Sequence, residues 1–150
     1  MRLLPATLLL CSLLPAVASA QCAPAPDSAY FFRNLSEQRA EARIAGNRAV
    51  YDELLSADFA DKQAFIDREL TKRSPEGRPF YAIRDYQLVE HRKGFAAVNY
   101  LLIEGTTGGE SRAVESRLRE VYEVQDGRWK LKTVEVTPAP DDANPARAAL

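Results

Sequence analysis

The stretch that most constrains the fold is residues 80–138, where apolar and polar side chains alternate. Alternation predicts strands, because neighbouring side chains of a strand point to opposite faces of a sheet. We predict four strands, at roughly Phe80–Arg92, Phe95–Gly105, Arg112–Val124 and Arg128–Thr137. Asp126-Gly127 joins the last two, and an Asp-Gly pair between alternating runs is a strong hairpin signal. This half of the chain is therefore predicted to form an antiparallel sheet.

The first half of the chain predicts helices that cover one face of this sheet. Apolar side chains recur at helical spacing in three segments, at about residues 28–45, 48–56 and 62–72. Gly46 suits the end of the first helix, and Asn47 suits the start of the second. Three short helices before a four-stranded sheet indicate an α+β domain.

The N-terminus predicts an export signal. Arg2 precedes an apolar run from Leu3 to Val17, and Ala18-Ser19-Ala20 has the small residues of a cleavage site. We therefore expect a periplasmic or secreted protein whose mature chain starts at Gln21. The predicted organisation is a signal peptide at 1–20, a linker at 21–27, one domain at 28–138 and a disordered tail at 139–150.

Cysteine and histidine usage argues against several kinds of site. Cys11 leaves with the leader, so Cys22 is the only mature cysteine and no internal disulfide forms. Lipidation of Cys22 is an open alternative, although Gln21 stands where a lipoprotein signal has a small residue. The single histidine, His91, leaves no zinc site and no Cys-His dyad. No phosphate-binding loop occurs either, so we predict neither a metal nor a cofactor.

The charge pattern limits the possible partners. The 20 basic and 21 acidic residues are interspersed, which argues against a nucleic-acid partner. Beyond the leader, no apolar run reaches the roughly 18 residues that a spanning helix needs, so no membrane partner is expected after leader removal.

Alternation also divides the strand residues between two faces. The apolar face, where the helices should pack, holds Val98, Tyr100, Leu118, Tyr122, Trp129 and Leu131. The other face carries a second apolar patch of Leu101, Ile103, Val121, Val134 and Val136. An uncovered apolar sheet face usually marks an interface, so we expect a homodimer. The first strand breaks its alternation near Arg84-Asp85, which predicts a β-bulge.

The order of these elements resembles the nuclear transport factor 2-like superfamily, particularly the SnoaL-like and uncharacterised branches that share the ketosteroid isomerase fold. The likeness rests on the helix–Gly46-Asn47–helix start, Tyr122-Glu123-Val124, the hairpin segment at 126–131 and Thr137-Pro138. It covers about Ser28 to Pro138. The resemblance implies an α+β fold in which a cone-shaped, curved antiparallel sheet wraps around N-terminal helices. It also implies an apolar pocket at the open end of the cone.

Polar side chains on the apolar face are the candidate site. Glu120 and Glu135 are candidate catalytic residues, because a carboxylate among apolar neighbours can act as a general acid or base. The expected ligand contacts are these two side chains with Tyr51, Tyr100, Glu104 and Tyr122. The alternatives are structural: Glu135 reaches solvent or pairs with Lys132 or Arg119, Glu120 pairs with Arg117 or Arg84, and Tyr51 belongs to the core.

Three classes of function remain open, because a fold alone does not imply a function. The leading hypothesis is an exported small-ligand-binding module with an apolar cone pocket. The second is an acid–base enzyme of the isomerase, cyclase or hydratase type acting on a small apolar substrate. The third is a dimeric protein-interaction scaffold. A deep pocket that holds a glutamate would favour the enzyme, a deep and purely apolar pocket would favour the ligand-binding module, and a cone filled with side chains would favour the scaffold.

Overall fold

The computed structural model describes residues 28–71, 77–108 and 112–138. The predicted leader, linker and tail lie outside the described residues and remain predictions. Within the described part, three α-helices precede a four-stranded antiparallel sheet with strand order β1-β2-β3-β4. The predicted α+β class is confirmed.

The helices are α1 (Ala29–Ala45), α2 (Arg48–Leu54) and α3 (Lys62–Thr71). Ser28 caps α1, because its Oγ accepts a hydrogen bond of 3.1 Å from the amide of Phe31. Gly46 ends α1 with φ 69, a left-handed conformation that favours glycine, as predicted. Asn47 precedes α2 as predicted, but its side chain makes no capping hydrogen bond.

The strands are β1 (Arg78–Arg92), β2 (Phe95–Thr107), β3 (Arg112–Gln125) and β4 (Arg128–Pro138). The β3–β4 turn has positive φ at both Asp126 (51) and Gly127 (73), as the Asp-Gly signal predicts. Strand β2 continues two residues beyond the predicted end at Gly105. Adjacent strands in this order need only short turns, so the sheet follows directly from the hairpin pattern.

Three β-bulges change which side chains point towards the helices. Two lie in β1, where the register shifts between Arg84 and Gln87 and again between Leu88 and Glu90; the first, at which Asp85 has φ 51, was predicted. The third lies in β4: Val121 pairs with Thr133 and Tyr122 pairs with Leu131, which leaves Lys132 as the extra residue. Neither the second bulge of β1 nor the bulge of β4 was predicted from the sequence.

The β4 bulge overturns part of the predicted face assignment. We call the side of the sheet that the helices cover the inner face, and the opposite side the outer face. Beyond Lys132, the alternation of β4 is reversed, so Val134 pairs with Glu120 on the inner face. Glu135 pairs with Arg119 on the outer face. Val136 likewise pairs with Leu118 on the inner face. The predictions that Glu135 shares a face with Glu120 and that Val134 and Val136 belong to the outer patch were therefore wrong.

The hydrophobic core lies between the helices and the inner face. Its apolar members include Phe32, Leu54, Leu55, Phe59, Phe65, Ile66, Ile83, Val98, Leu102, Leu118 and Leu131. Ser56 fixes the segment after α2 to β4, because its amide donates to the carbonyl of Leu131 at 2.9 Å. In the part of the chain that the structure describes, none of the helices combines the length and the apolar character needed to cross a membrane.

Candidate functional site

A cluster of polar side chains fills the space between α1 and the inner face. We call it the buried polar network; its members are Ser36, Arg39, Glu69, Tyr100, Glu120 and Tyr122. None of these residues is more than 4% exposed. Polar groups at this depth are tolerated only when their hydrogen bonds are satisfied.

Glu120 lies at the centre of the network and accepts four hydrogen bonds. Its Oε2 accepts from the hydroxyls of Ser36 at 2.6 Å and Tyr122 at 2.7 Å. Its Oε1 accepts from Nε of Arg39 at 2.7 Å and from the hydroxyl of Tyr100 at 2.7 Å. An ionised carboxylate has about four acceptor sites, so no lone pair of Glu120 is left for a ligand.

Arg39 links Glu120 to α3. Besides the bond from its Nε, its Nη1 donates to Oε2 of Glu69 at 2.8 Å and its Nη2 donates to the hydroxyl of Tyr100 at 3.1 Å. Burial by itself lowers the pKa of Arg39, but the adjacent Tyr100, Glu120 and Glu69 raise it well above the usual value. The guanidinium therefore stays charged and holds the two carboxylates.

The network continues towards both ends of the sheet. The Tyr51 hydroxyl donates to the backbone carbonyl of Arg39 at 3.3 Å, and Arg43 forms an ion pair with Glu104. Tyr86, which the first β1 bulge aims inward, lies with its hydroxyl 3.2 Å from Oγ of Ser36. Its ring stacks on Tyr100 at a centroid distance of 5.4 Å.

Burial sets the protonation of the tyrosines. Desolvation, followed by the charge of Glu120, raises the pKa of Tyr100 and Tyr122 far above 10.0. Desolvation and then the charge of Glu69 raise the pKa of Tyr51. The phenols therefore remain protonated donors at neutral pH, and none of the three is a base.

The structure brings five of the six predicted site residues together. Glu120, Tyr100 and Tyr122 belong to the network, and Tyr51 and Glu104 join it through α1. Glu135 is separate, because the β4 bulge places it on the outer face, where it is exposed. The predicted structural partners of Glu120, Arg117 and Arg84, were wrong; its partner is Arg39.

Sequence reasoning missed the contribution of α1. Phe32, Ser36, Arg39 and Arg43 follow one another at helical spacing, and all four are buried. The apolar side of this helix was predicted from its Phe, Leu and Ala residues alone. The available signal was that Ser36 and the arginines continue the row that starts at Phe32.

An open groove of about 400 Å³ lies between α1, α2 and the β3–β4 hairpin. Its apolar residues are Leu35, Ala42, Ala45, Val50, Leu54 and Trp129. Its polar residues are Gln38, Glu41, Asn47, Glu53, Arg128 and Lys130. The ring of Trp129 packs edge-on against Phe32 with centroids 5.0 Å apart. The groove has the size and mixed lining of a small-molecule site, and it lies apart from Glu120.

The outer face combines aliphatic side chains with charges. Leu101 and Val121 are half-buried, and Asn99 between them has its Oδ1 buried without a hydrogen-bond partner among the described residues. Arg84 and Arg117 lie on the two strands that flank Leu101. Buried polar atoms are normally hydrogen-bonded, so this oxygen is an unusual feature of the outer face.

Metal binding has no support in the described ranges, which contain no group of three or more His, Cys, Asp or Glu residues able to hold an ion. The possible sites are thus the buried polar network, the groove and the outer face.

No protein-family model and no curated protein matches the sequence. Several solved structures are similar in fold. A nuclear transport factor 2-like protein of unknown function from Pseudomonas putida is 18% identical, with a TM-score of 0.62 over 75% of this chain and 86% of the other. One from Pseudomonas aeruginosa is 19% identical, with a TM-score of 0.59 over 75% of this chain and 100% of the other.

The association domain of C. elegans CaMKII is similar as well. It is 14% identical, with a TM-score of 0.59 over 71% of this chain and 92% of that domain. Identities this low show a shared fold and no more. They confirm the fold that the resemblance in the sequence implied.

Proposed function

This chain has the nuclear transport factor 2-like fold, and we propose that it is an exported module that associates with a second copy of itself through the outer face of its sheet. The observation that carries the proposal is the uncovered outer face, where half-buried Leu101 and Val121 flank the unsatisfied Oδ1 of Asn99. A second copy would bury these aliphatic side chains.

The filled interior supports an assembly role over catalysis. Glu120 is the candidate general base, and four donors occupy its carboxylate. A general base has to accept a proton from its substrate, and the carboxylate of Glu120 has no free acceptor site for that proton. The acid–base enzyme hypothesis therefore loses its main residue.

The size of the outer face suits a dimer. Strand β4, the shortest of the four, has 11 residues. At about 3.4 Å per residue and about 4.8 Å between strands, a four-stranded face of that length measures about 700 Å². Stable interfaces of standard size bury about 600–1,000 Å² per partner, so the area of the face lies within that range. The similarity to an association domain is in keeping with this role.

The experiment is a measurement of molar mass by light scattering on purified protein, with a matched pair of substitutions. The wild type should be a dimer, and Val121→Asp should be a folded monomer because it buries a charge in the interface. Val114→Asp is the control, since Val114 lies on the same strand but is 64% exposed and outside the outer face. A monomeric wild type at tens of micromolar would refute the proposal.

Export is part of the same proposal and rests on the leader-like segment at residues 1–20. Expression of the full sequence in a bacterial host should yield a secreted or periplasmic protein that starts at Gln21. Intact mass and N-terminal sequencing check this. A product that retains Met1 to Ala20, or one that starts at a lipid-modified Cys22, would contradict it.

The groove supports a second candidate function, the binding of a small apolar molecule. The supporting observation is that the groove joins an apolar floor to a polar rim, on which Arg128 and Lys130 lie with Glu41 and Glu53; this suits an apolar body that carries polar groups. Lys130 is anchored because its Nζ donates to the backbone carbonyl of Glu53, whereas Arg128 is exposed. This keeps the small-ligand hypothesis while moving its site from the cone to the groove.

The single tryptophan of the chain lines the groove and provides the assay. Anilinonaphthalene sulfonate, an apolar anion, should bind and receive energy from excited Trp129. Val50→Glu places a negative charge in the groove and should abolish the transfer. Val89→Glu is the control, because Val89 is 42% exposed on β1 and does not line the groove. Equal signals from both variants would exclude the groove as the binding site.

A further inference from the structure

We infer that the two-fold axis of the proposed dimer crosses β3 at Val121, so that Arg119 of each copy forms an ion pair with Glu123 of the other. The inference rests on the proposed self-association and specifies its register. It follows from the order of charges along β3.

Strand β3 presents a simple charge sequence on the outer face. Glu120 and Tyr122 point inward, so alternation directs their neighbours outward. In chain order, the outward residues are Glu115, Arg117, Arg119, Val121 and Glu123. Two acids thus flank two arginines and one valine.

Two-fold symmetry restricts how this sequence can meet itself. Sheets that pack face to face keep their strands nearly aligned, and a two-fold axis across the strands makes β3 meet its own copy antiparallel. A residue on the axis then meets itself, and the residues two positions on either side meet each other. An axis at Arg117 or at Arg119 would place an arginine against its own copy, which is unfavourable.

An axis at Val121 gives a favourable pattern instead. Val121 meets Val121, and Arg119 meets Glu123 twice, once on each side of the axis. Ala97 on β2 and Thr133 on β4 pair with Val121 in the same row, so the row on the axis is uncharged across these three strands. Glu90 on the edge strand β1 continues the row, and its carboxylate lies 3.4 Å from Nε of Arg92 in the same chain, which offsets its charge.

Both members of the proposed pair have capacity for a new partner. Within the described part of the chain, Arg119 makes no ion pair, even with Glu135 directly across on β4. The Glu123 side chain is 39% exposed, and its one described ion contact is a distant one, at 3.8 Å from Nζ of Lys132. An intermolecular pair satisfies both without breaking a short contact.

The test is a charge swap followed by sedimentation equilibrium on the full-length purified protein. Arg119→Glu and Glu123→Arg should each weaken the dimer on the order of a hundredfold, because each places like charges together at two symmetric positions. The double variant restores both pairs and should return the dissociation constant to near the wild-type value. Arg117→Glu is the control, since Arg117 faces no charge of the partner strand in this register, and it should leave the dimer intact.

The outcomes separate the register from the self-association. A monomeric wild type overturns the proposed function and this inference with it. A dimeric wild type overturns the register alone if the single swaps have no effect, if the double variant fails to recover, or if Arg117→Glu is the more damaging change. Circular dichroism of each variant excludes unfolding as the cause of a monomer.

Discussion

The Nε atom of Arg39 lies 2.7 Å from Oε1 of Glu120, and neither residue is more than 2% exposed. The attraction within such a pair is partly offset by the cost of removing both charges from water. The pair therefore contributes more to the choice of a single packing arrangement than to stability. A buried charge is costly without its partner, so α1 and β3 must pack with both residues in contact. The pair fixes α1 against the sheet and closes the centre of the cone.

Replacing Arg39 by methionine should destabilise the protein strongly. The change removes the cation that serves Glu120 and Glu69, and it leaves both carboxylates buried. Breaking a buried pair costs about 3–5 kcal/mol, from a total stability of about 5–15 kcal/mol. Urea unfolding followed by circular dichroism measures the loss.

The control for this change is Arg33→Met on the same helix. Arg33 forms an exposed pair with Glu37 one turn away, and its side chain is 44% exposed. Such pairs contribute about 0.3–0.5 kcal/mol. If the two variants lose the same stability, Arg39 is not held in the network.

Glu120→Gln should lower stability while Glu135→Gln leaves it unchanged. An amide at position 120 can still bond the hydroxyls of Ser36 and Tyr122, which accept as well as donate, but it removes the charge that pairs with the buried Arg39. Leaving a buried group without its partner costs about 1–3 kcal/mol, and more when a charge is involved. Glu135 is exposed, so its substitution should stay within about 0.5 kcal/mol. Denaturant midpoints of both variants check the contrast, and equal midpoints would contradict the burial of Glu120.

The regular elements were predictable from the sequence because each has a strong local signal. The alternation of apolar and polar residues along β2 and β3 predicts which side chains face the core. Asp126-Gly127 predicts the hairpin, because both positions of its turn need a positive φ. Gly46 marks the end of α1 for the same reason. These signals depend on neighbours in the chain, so no tertiary information is needed.

The site was only partly predictable because its decisive features are not local. The bulge at Lys132 has no sequence signature, because the lysines and valines around it keep the alternation of a regular strand. A shift of one residue in the pairing register places Glu135 on the opposite face of the sheet. The burial of Arg39 depends on Glu69 from α3 and Glu120 from β3, which are far apart in the chain. A long charged side chain on a helix is ordinarily exposed, so its own sequence context argued against burial.

The buried tyrosines should make the protein sensitive to alkali. Burial raises the pKa of Tyr100 and Tyr122 above the usual 10.0. Groups with a raised pKa in the folded state contribute stability that is complete below the unfolded pKa and is lost as the pH rises. The free energy of unfolding should therefore fall as the pH rises above 10. In an alkaline titration, the absorbance rise of the buried phenolates should coincide with the loss of circular dichroism, and ionisation well before unfolding would contradict it.

The loop after α2 should be sensitive to acid. Asp58 accepts hydrogen bonds from Lys132 and from Nε2 of Gln125, the latter at 2.8 Å. The Lys132 bond, followed by the Gln125 bond, lowers the pKa of Asp58 from its usual 3.8 to about 2. A carboxyl with a lowered pKa contributes stability that is present above the unfolded value and is lost as the pH falls through the folded value.

Thermal melting of Asp58→Asn beside the wild type tests this contribution. The wild type should melt at a higher temperature at pH 7, and the difference should shrink as the pH falls from about 4 to about 2. Salt should shrink it too, because Asp58 is exposed and ions screen its pair with Lys132. Lys132→Met should show the same pH dependence, and adding it to Asp58→Asn should produce little further change, since both remove one interaction. Additive effects would mean that the two residues act separately and that the bulge lysine does not hold this loop to β4.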